Sequence, residues 1–141
     1  MNKLKNKFAI GCLVQWYEID LIGEYIESLK QALKDVENKE NVWIDFVFTV
    51  NQDLEKIDDT IKIEDIGKQF DEMIKDLKSI TPHVIVEPTD KLVTIADYRR
   101  VFNDKWCEIV DVLMWGETDS LIPKQTFEIL DKLHFSVKEK T

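Results

Sequence analysis

This 141-residue chain alternates between two hydrophobic rhythms, and few folds accommodate that exchange. Compact apolar runs at 8–15, 42–50, 83–86 and 110–115 are rich in β-branched and aromatic residues. These read as strands buried on both faces. Between them the apolar residues recur at helical spacing. Over 20–36 they are Ile22, Tyr25, Ile26, Leu29, Leu33 and Val36, with Asp20 as N-cap. Over 65–80 they are Ile66, Phe70, Met73, Ile74, Leu77 and Ile80, and Thr81–Pro82 stops the run. Over 94–106 they are Ile95, Tyr98, Phe102 and Trp106. Pro123 suits the first turn of a last helix with Phe127, Leu130 and Leu133 inward. The segment 135–137 reads as a further short strand, and the polar stretch 51–65 as a surface loop. The order β-α-β-α-β-α-β-α predicts an α/β three-layer sandwich around a mostly parallel sheet, Rossmann-like, with helices on both faces and one domain over 1–141.

Composition narrows the function classes. The formal net charge of −9 argues against a protein that grips nucleic acid by phosphate neutralisation. No apolar stretch reaches membrane-span length. The basic-then-apolar start lacks a cleavage site and runs into Trp16, Tyr17 and Glu18, so it reads as a first strand in a cytoplasmic protein. Cys12 and Cys107 read as buried free thiols. His83 and His134, each expected to open a strand, have no partner at ligand spacing, so a zinc site is not expected. The chain has no GxGxxG, GxxxxGK[ST] or GxSxG, which removes the usual phosphate cradles and the hydrolase elbow.

Glu117 and Asp119 follow the last apolar run directly after Gly116. Acids at the carboxyl end of a parallel strand stand where open α/β sheets hold ligands. In a parallel sheet they would share an edge with Gln15-Trp16-Tyr17-Glu18 and with Asn51-Gln52-Asp53. Trp16 and Tyr17 suit either core packing or stacking on a flat ring. Glu117 and Asp119 suit either a helix cap or a hard cation, Mg²⁺ or Mn²⁺, which needs few protein ligands when a diphosphate supplies others. Such an ion would neutralise charge on a departing phosphate. Of Arg99 and Arg100, one is expected to face solvent or to pair with an acid such as Glu117.

Three segments carry a family resemblance. YEIDLIGEYIESL (17–29) resembles the opening of the nucleotide-sugar-binding domain of family-2-like glycosyltransferases. DYRRVFN (97–103) is similar to the arginine-containing helix that precedes their metal motif. WGETDSLIP (115–123) resembles their strand–Asp-x-Asp–x-Leu-x-Pro segment. In order and approximate spacing, the resemblance covers nearly the whole chain. It implies a GT-A-type domain in which Glu117 and Asp119 hold Mn²⁺ or Mg²⁺, Tyr17, Glu18 and Asn51 contact the nucleotide, and Asp97 and Arg100 line the donor site. The implied activity is sugar transfer from a nucleotide-sugar donor to an unknown acceptor. The chain departs from the pattern at Glu117, where the family has Asp, and at Gln15 and Glu18, where it has proline and asparagine. The sequence ends where the family's acceptor-binding half would begin. The resemblance therefore implies a partner chain or a missing C-terminal half. The alternative is a non-catalytic module that binds nucleotide or protein.

Overall fold

A computed structural model describes residues 2–50 and 54–140. Asn51, a candidate nucleotide contact, lies outside the described residues. Strand β1 (Phe8–Gln15) leads through a one-turn 3-10 helix (Trp16–Glu18) into α1 (Ile19–Lys34). Then follow β2 (Val42–Thr49), a short α2 (Leu54–Ile57), α3 (Ile63–Lys78), β3 (Val84–Thr89), α4 (Ile95–Trp106), β4 (Val112–Gly116) and α5 (Thr126–Lys140). Among the described residues the four strands form one sheet, ordered β3-β2-β1-β4, and every pairing is parallel. The α/β layering read from the sequence is the architecture of the protein. No helix among the described residues is long and apolar enough to cross a membrane.

Alternation along the strands divides the core in two. Phe8, Ile10, Cys12 and Val14 of β1, with Ile44, Phe46 and Phe48 of β2, face α1, α3 and α5. The opposite face carries Ala9, Leu13, Trp43 and Val47 against Tyr98, Phe102 and Trp106 of α4. Phe8, Phe46, Phe70 and Phe127 are all but fully buried, and each such side chain contributes about 1.5–3 kcal/mol. On the α4 face, Gly11 is required by close approach: a Cβ there would overlap the Tyr98 hydroxyl and the Phe102 ring. The last helix is tied to the amino-terminal segment through buried Asp131, which accepts from the Asn6 amide N–H at 2.9 Å and from the Lys5 amide at 3.0 Å.

Several local expectations are corrected. The strand at 110–115 is not buried on both faces. It runs over Val112–Gly116 at the sheet edge, paired among the described residues with β1 alone, and Trp115 is 46% exposed. Asp20 lies in the first turn of α1, whose N-cap is Glu18, because the intervening 3-10 turn starts the helix earlier. The stretch 51–65 is not all loop, since α2 and the start of α3 fall within it. Pro123 precedes α5, which begins at Thr126, where the Thr126 N–H bonds the Pro123 carbonyl at 3.1 Å. Residues 135–137 continue α5, and His134 is helical as well. Apolar residues so few in number carry no period that separates strand from helix. Leu133 is exposed and Ile95 is 56% exposed, so each lies beyond its helix's buried stripe. Cys107, expected to be buried, is exposed just past α4, whereas Cys12 is buried; both are free thiols.

Candidate functional site

The chain passes from β1 to β2 and β3 on one side and returns with β4 on the other. Strand order therefore reverses between β1 and β4, and open α/β sheets hold ligands at the carboxyl end of such a switch point. Register deepens the hollow here. Gly116 pairs with Cys12, while β1 continues to Gln15, so Leu13 and Gln15 project above the end of β4. The result is a cleft of about 270 Å³ lined by these residues with Tyr17, Glu18, Arg99, Glu117 and Asp119, among others.

Local hydrogen bonds hold the two strand ends together. The Glu18 carboxylate accepts the Gln15 amide N–H at 3.1 Å through Oε1 and the Thr118 hydroxyl through Oε2. Thr118 is 3% exposed and Glu18 half-buried, so this stitch across the switch point is partly sealed from solvent. Gly116 forms part of the cleft wall, and a Cβ there would overlap the Tyr25 hydroxyl from α1. That hydroxyl has no hydrogen-bond partner among the described residues. Burial pushes the Cys12 thiol up to about 12, with the charges of Glu18 and Glu117 adding to the shift. A thiol so placed is protonated and unreactive at neutral pH.

The charged rim is built differently. Arg99 approaches Glu117 at 3.4 Å and lies over the Trp115 ring, 5.0 Å from its centroid. The Trp115 indole N–H donates to Asn103 at 3.1 Å, which fixes the ring. Glu117 has its backbone pinned, since its carbonyl accepts from the Ser120 amide at 3.0 Å and the Ser120 hydroxyl at 2.7 Å. Its carboxylate remains 60% exposed. Tyr17 is 64% exposed at the mouth, its ring edge-on to Trp16 at 5.5 Å. Tyr17 is thus free of the core and available for stacking. Trp16 lines a neighbouring hollow of about 230 Å³ with Thr49, Asp90 and Lys91.

Four residues singled out from the sequence, Tyr17, Glu18, Glu117 and Asp119, meet at this one cleft. Asp97 and Arg100 do not join them; they pair with each other at 3.4 Å, both well exposed. The arginine in the cleft is Arg99, paired with Glu117. Helical phase carries that information. With Tyr98, Phe102 and Trp106 turned to the sheet, 99 and 103 fall on the flank toward β4. The sequence carries no comparable signal for Thr118, whose role depends on a contact with Glu18 from the far end of the chain.

Chemically, the cleft offers one guanidinium for an anion and an exposed aromatic ring for stacking. Its carboxylates are hard oxygen donors of the kind Mg²⁺ and Mn²⁺ take. Among the described residues no group of three or more His, Cys, Asp or Glu side chains could enclose a metal ion. A divalent cation at Glu117 and Asp119 would therefore have only a partial protein shell and would need water or a ligand's phosphate oxygens to complete it. No protein-family model matches this chain, and neither a curated protein nor a solved structure is significantly similar to it.

Proposed function

We propose that this protein binds a nucleotide-activated sugar together with Mg²⁺ or Mn²⁺ and transfers the sugar to an acceptor, in the manner of the family-2-like glycosyltransferases its segments resemble. The observation that carries the reading is the cleft between the ends of β1 and β4, with Tyr17, Arg99, Glu117 and Asp119 together at the switch point. In this reading Tyr17 stacks on the nucleoside, Glu117 and Asp119 hold the ion, and Arg99 faces the diphosphate. The ion supplies neutralisation of the charge that develops on the leaving diphosphate. Gly116 and the Glu18–Thr118 stitch keep the acids at a fixed height above β4. Two free thiols suit a reducing cytoplasm. A second reading, a binding module without turnover, is favoured by Glu18. Both of its oxygens are already engaged by Gln15 and Thr118, which suits holding structure more than moving a proton.

Ligand-dependent melting tests the donor site. Uridine or guanosine diphosphate with Mn²⁺ should stabilise the protein by about 2.7 kcal/mol at a hundredfold excess over the dissociation constant. Asp119→Asn should fold normally and lose the part of that gain that depends on Mn²⁺. An unchanged melting temperature with every nucleoside diphosphate, metal present, overturns the proposal.

A further inference from the structure

Arg99 and Glu117 stand in a relation that the donor-site reading leaves unexplained. If Glu117 holds a divalent ion, a guanidinium 3.4 Å from its carboxylate occupies that position first. The contact is long for a charge-assisted hydrogen bond, which favours about 2.7–2.9 Å. Its members are 39% and 60% exposed, so it is a weak, exchangeable pair. The parts around it are fixed. Trp115 supports the guanidinium face and is itself held by Asn103, while Ser120 holds the Glu117 backbone. Only the two charged ends are free to trade partners.

We infer that Arg99 is a latch on the metal position, an inference that rests on the donor-site reading above. In the free protein the guanidinium neutralises Glu117 and disfavours a cation there. A diphosphate offers the planar guanidinium a better, bidentate partner. Arg99 turns to the phosphate while still supported by Trp115, and Glu117 is released to the ion, which the same phosphate helps to hold. Charge balance requires both moves. Glu18, Glu117 and Asp119 would repel a diphosphate unless Arg99 and the ion both face it. Arg99 thus carries the coupling between the two ligands, and coupling of this kind is reciprocal.

The test uses the full chain, Mn²⁺ alone, and Mn²⁺ with uridine or guanosine diphosphate, read by calorimetry. In the wild type, Mn²⁺ alone should bind weakly and nucleotide should tighten it strongly. Arg99→Met should bind Mn²⁺ alone about two- to fivefold more tightly, the worth of an exposed ion pair. It should also lose about tenfold or more of the nucleotide's enhancement, the worth of a charged hydrogen bond to phosphate. Arg99→Lys keeps the charge without the fork and should lose part of the enhancement. Nucleotide should change tryptophan emission in the wild type, and Trp115→Phe should remove that change. The latch is overturned if Arg99→Met leaves Mn²⁺ binding unchanged or weaker, or if Arg99→Lys matches the wild type in both titrations. If the wild type binds neither nucleotide nor Mn²⁺, the donor-site reading itself falls, which is a separate result.

Discussion

Lys105 and Arg99 both project from α4 and both pair with a carboxylate, yet the two pairs differ in almost every physical respect. Lys105 donates to Asp45 at 2.8 Å and to Glu87 at 3.2 Å. The Asp45 side chain is 5% exposed in the middle of β2, and its Oδ2 also accepts the Trp106 indole N–H at 2.9 Å. Burial alone would lower the Lys105 pKa, but the hydrogen bond and charge of Asp45, with Glu87, hold it above the ordinary lysine value. Arg99 and Glu117 are farther apart and largely in solvent. The Lys105 head reaches solvent while Asp45 does not, and a buried carboxylate that also holds a buried donor is expensive to remove. An exposed pair is cheap to make and cheap to exchange. The same helix is therefore anchored over β2 at one level and free to change partners at the cleft. Rigidity and availability here follow depth in the structure, since each pair joins one cation to a carboxylate but only Asp45 is sealed from solvent.

The largest expected effect would test that contrast directly. Asp45→Ala leaves the buried Trp106 indole N–H without its acceptor, while Lys105 keeps Glu87 and solvent, and should cost about 3 kcal/mol in urea unfolding, the upper end for a buried donor left unsatisfied. Glu117→Gln should cost less than about 1 kcal/mol in the same measurement. Equal costs would erase the distinction between an anchoring pair and an exchangeable one.

A smaller effect concerns the rigid floor beneath the exchangeable rim. Gly116→Ala forces its new methyl against the Tyr25 hydroxyl and should cost about 1–3 kcal/mol. Tyr25→Phe removes a hydroxyl that has no partner among the described residues and should be close to neutral. Combined, the two should recover part of the loss, a coupling that a double-mutant cycle in urea would measure. Strictly additive losses would mean that the floor yields elsewhere.

The smallest effect, over the window from pH 9 to 10, is a pH dependence from beneath the cleft. The folded-state pKa of Cys12 is raised from its ordinary 9.0 to about 12, so above pH 9 the unfolded chain releases a proton that the folded protein keeps. The contribution is fully present below pH 9 and is lost as pH rises toward 12, by up to about 1.4 kcal/mol per pH unit. Burial also raises Tyr25 and Tyr98, which steepens the decline above pH 10. Cys12→Ala should make the fall between pH 9 and 10 shallower in urea titrations at each pH. An identical slope would show that water reaches the thiol and that the floor is as open as the rim.

Much of the cleft was legible because it depends on order along the chain. A parallel sheet brings the carboxyl ends of its strands to one edge, so Tyr17, Glu18, Glu117 and Asp119 could be grouped by counting strands. Arg100 and Asp97 show where counting fails. Both lie on the correct helix, but a rotation of one residue separates a cleft side chain from a solvated one, and Arg99 holds the inward position. Asp45 was not legible as the buried half of an ion pair. Its partner Lys105 lies sixty positions away, and nothing in VWIDFVFT distinguishes a buried acid from one facing solvent.

By itself, the sequence determined the layer architecture, the parallel direction of the strands and the edge on which the acids collect. Those properties follow from continuous apolar runs alternating with stretches of 3.6-residue period, because a helix between successive strands returns the chain to start the next strand in the same direction. The tertiary structure alone decided that β4 lies at the sheet edge, that Glu18 is committed to Thr118, that Cys107 is exposed while Cys12 is sealed, and that Arg99 faces Glu117. Each of these depends on which surfaces meet across long separations in the chain. Local periodicity fixes a side chain's face, but only packing fixes what covers that face.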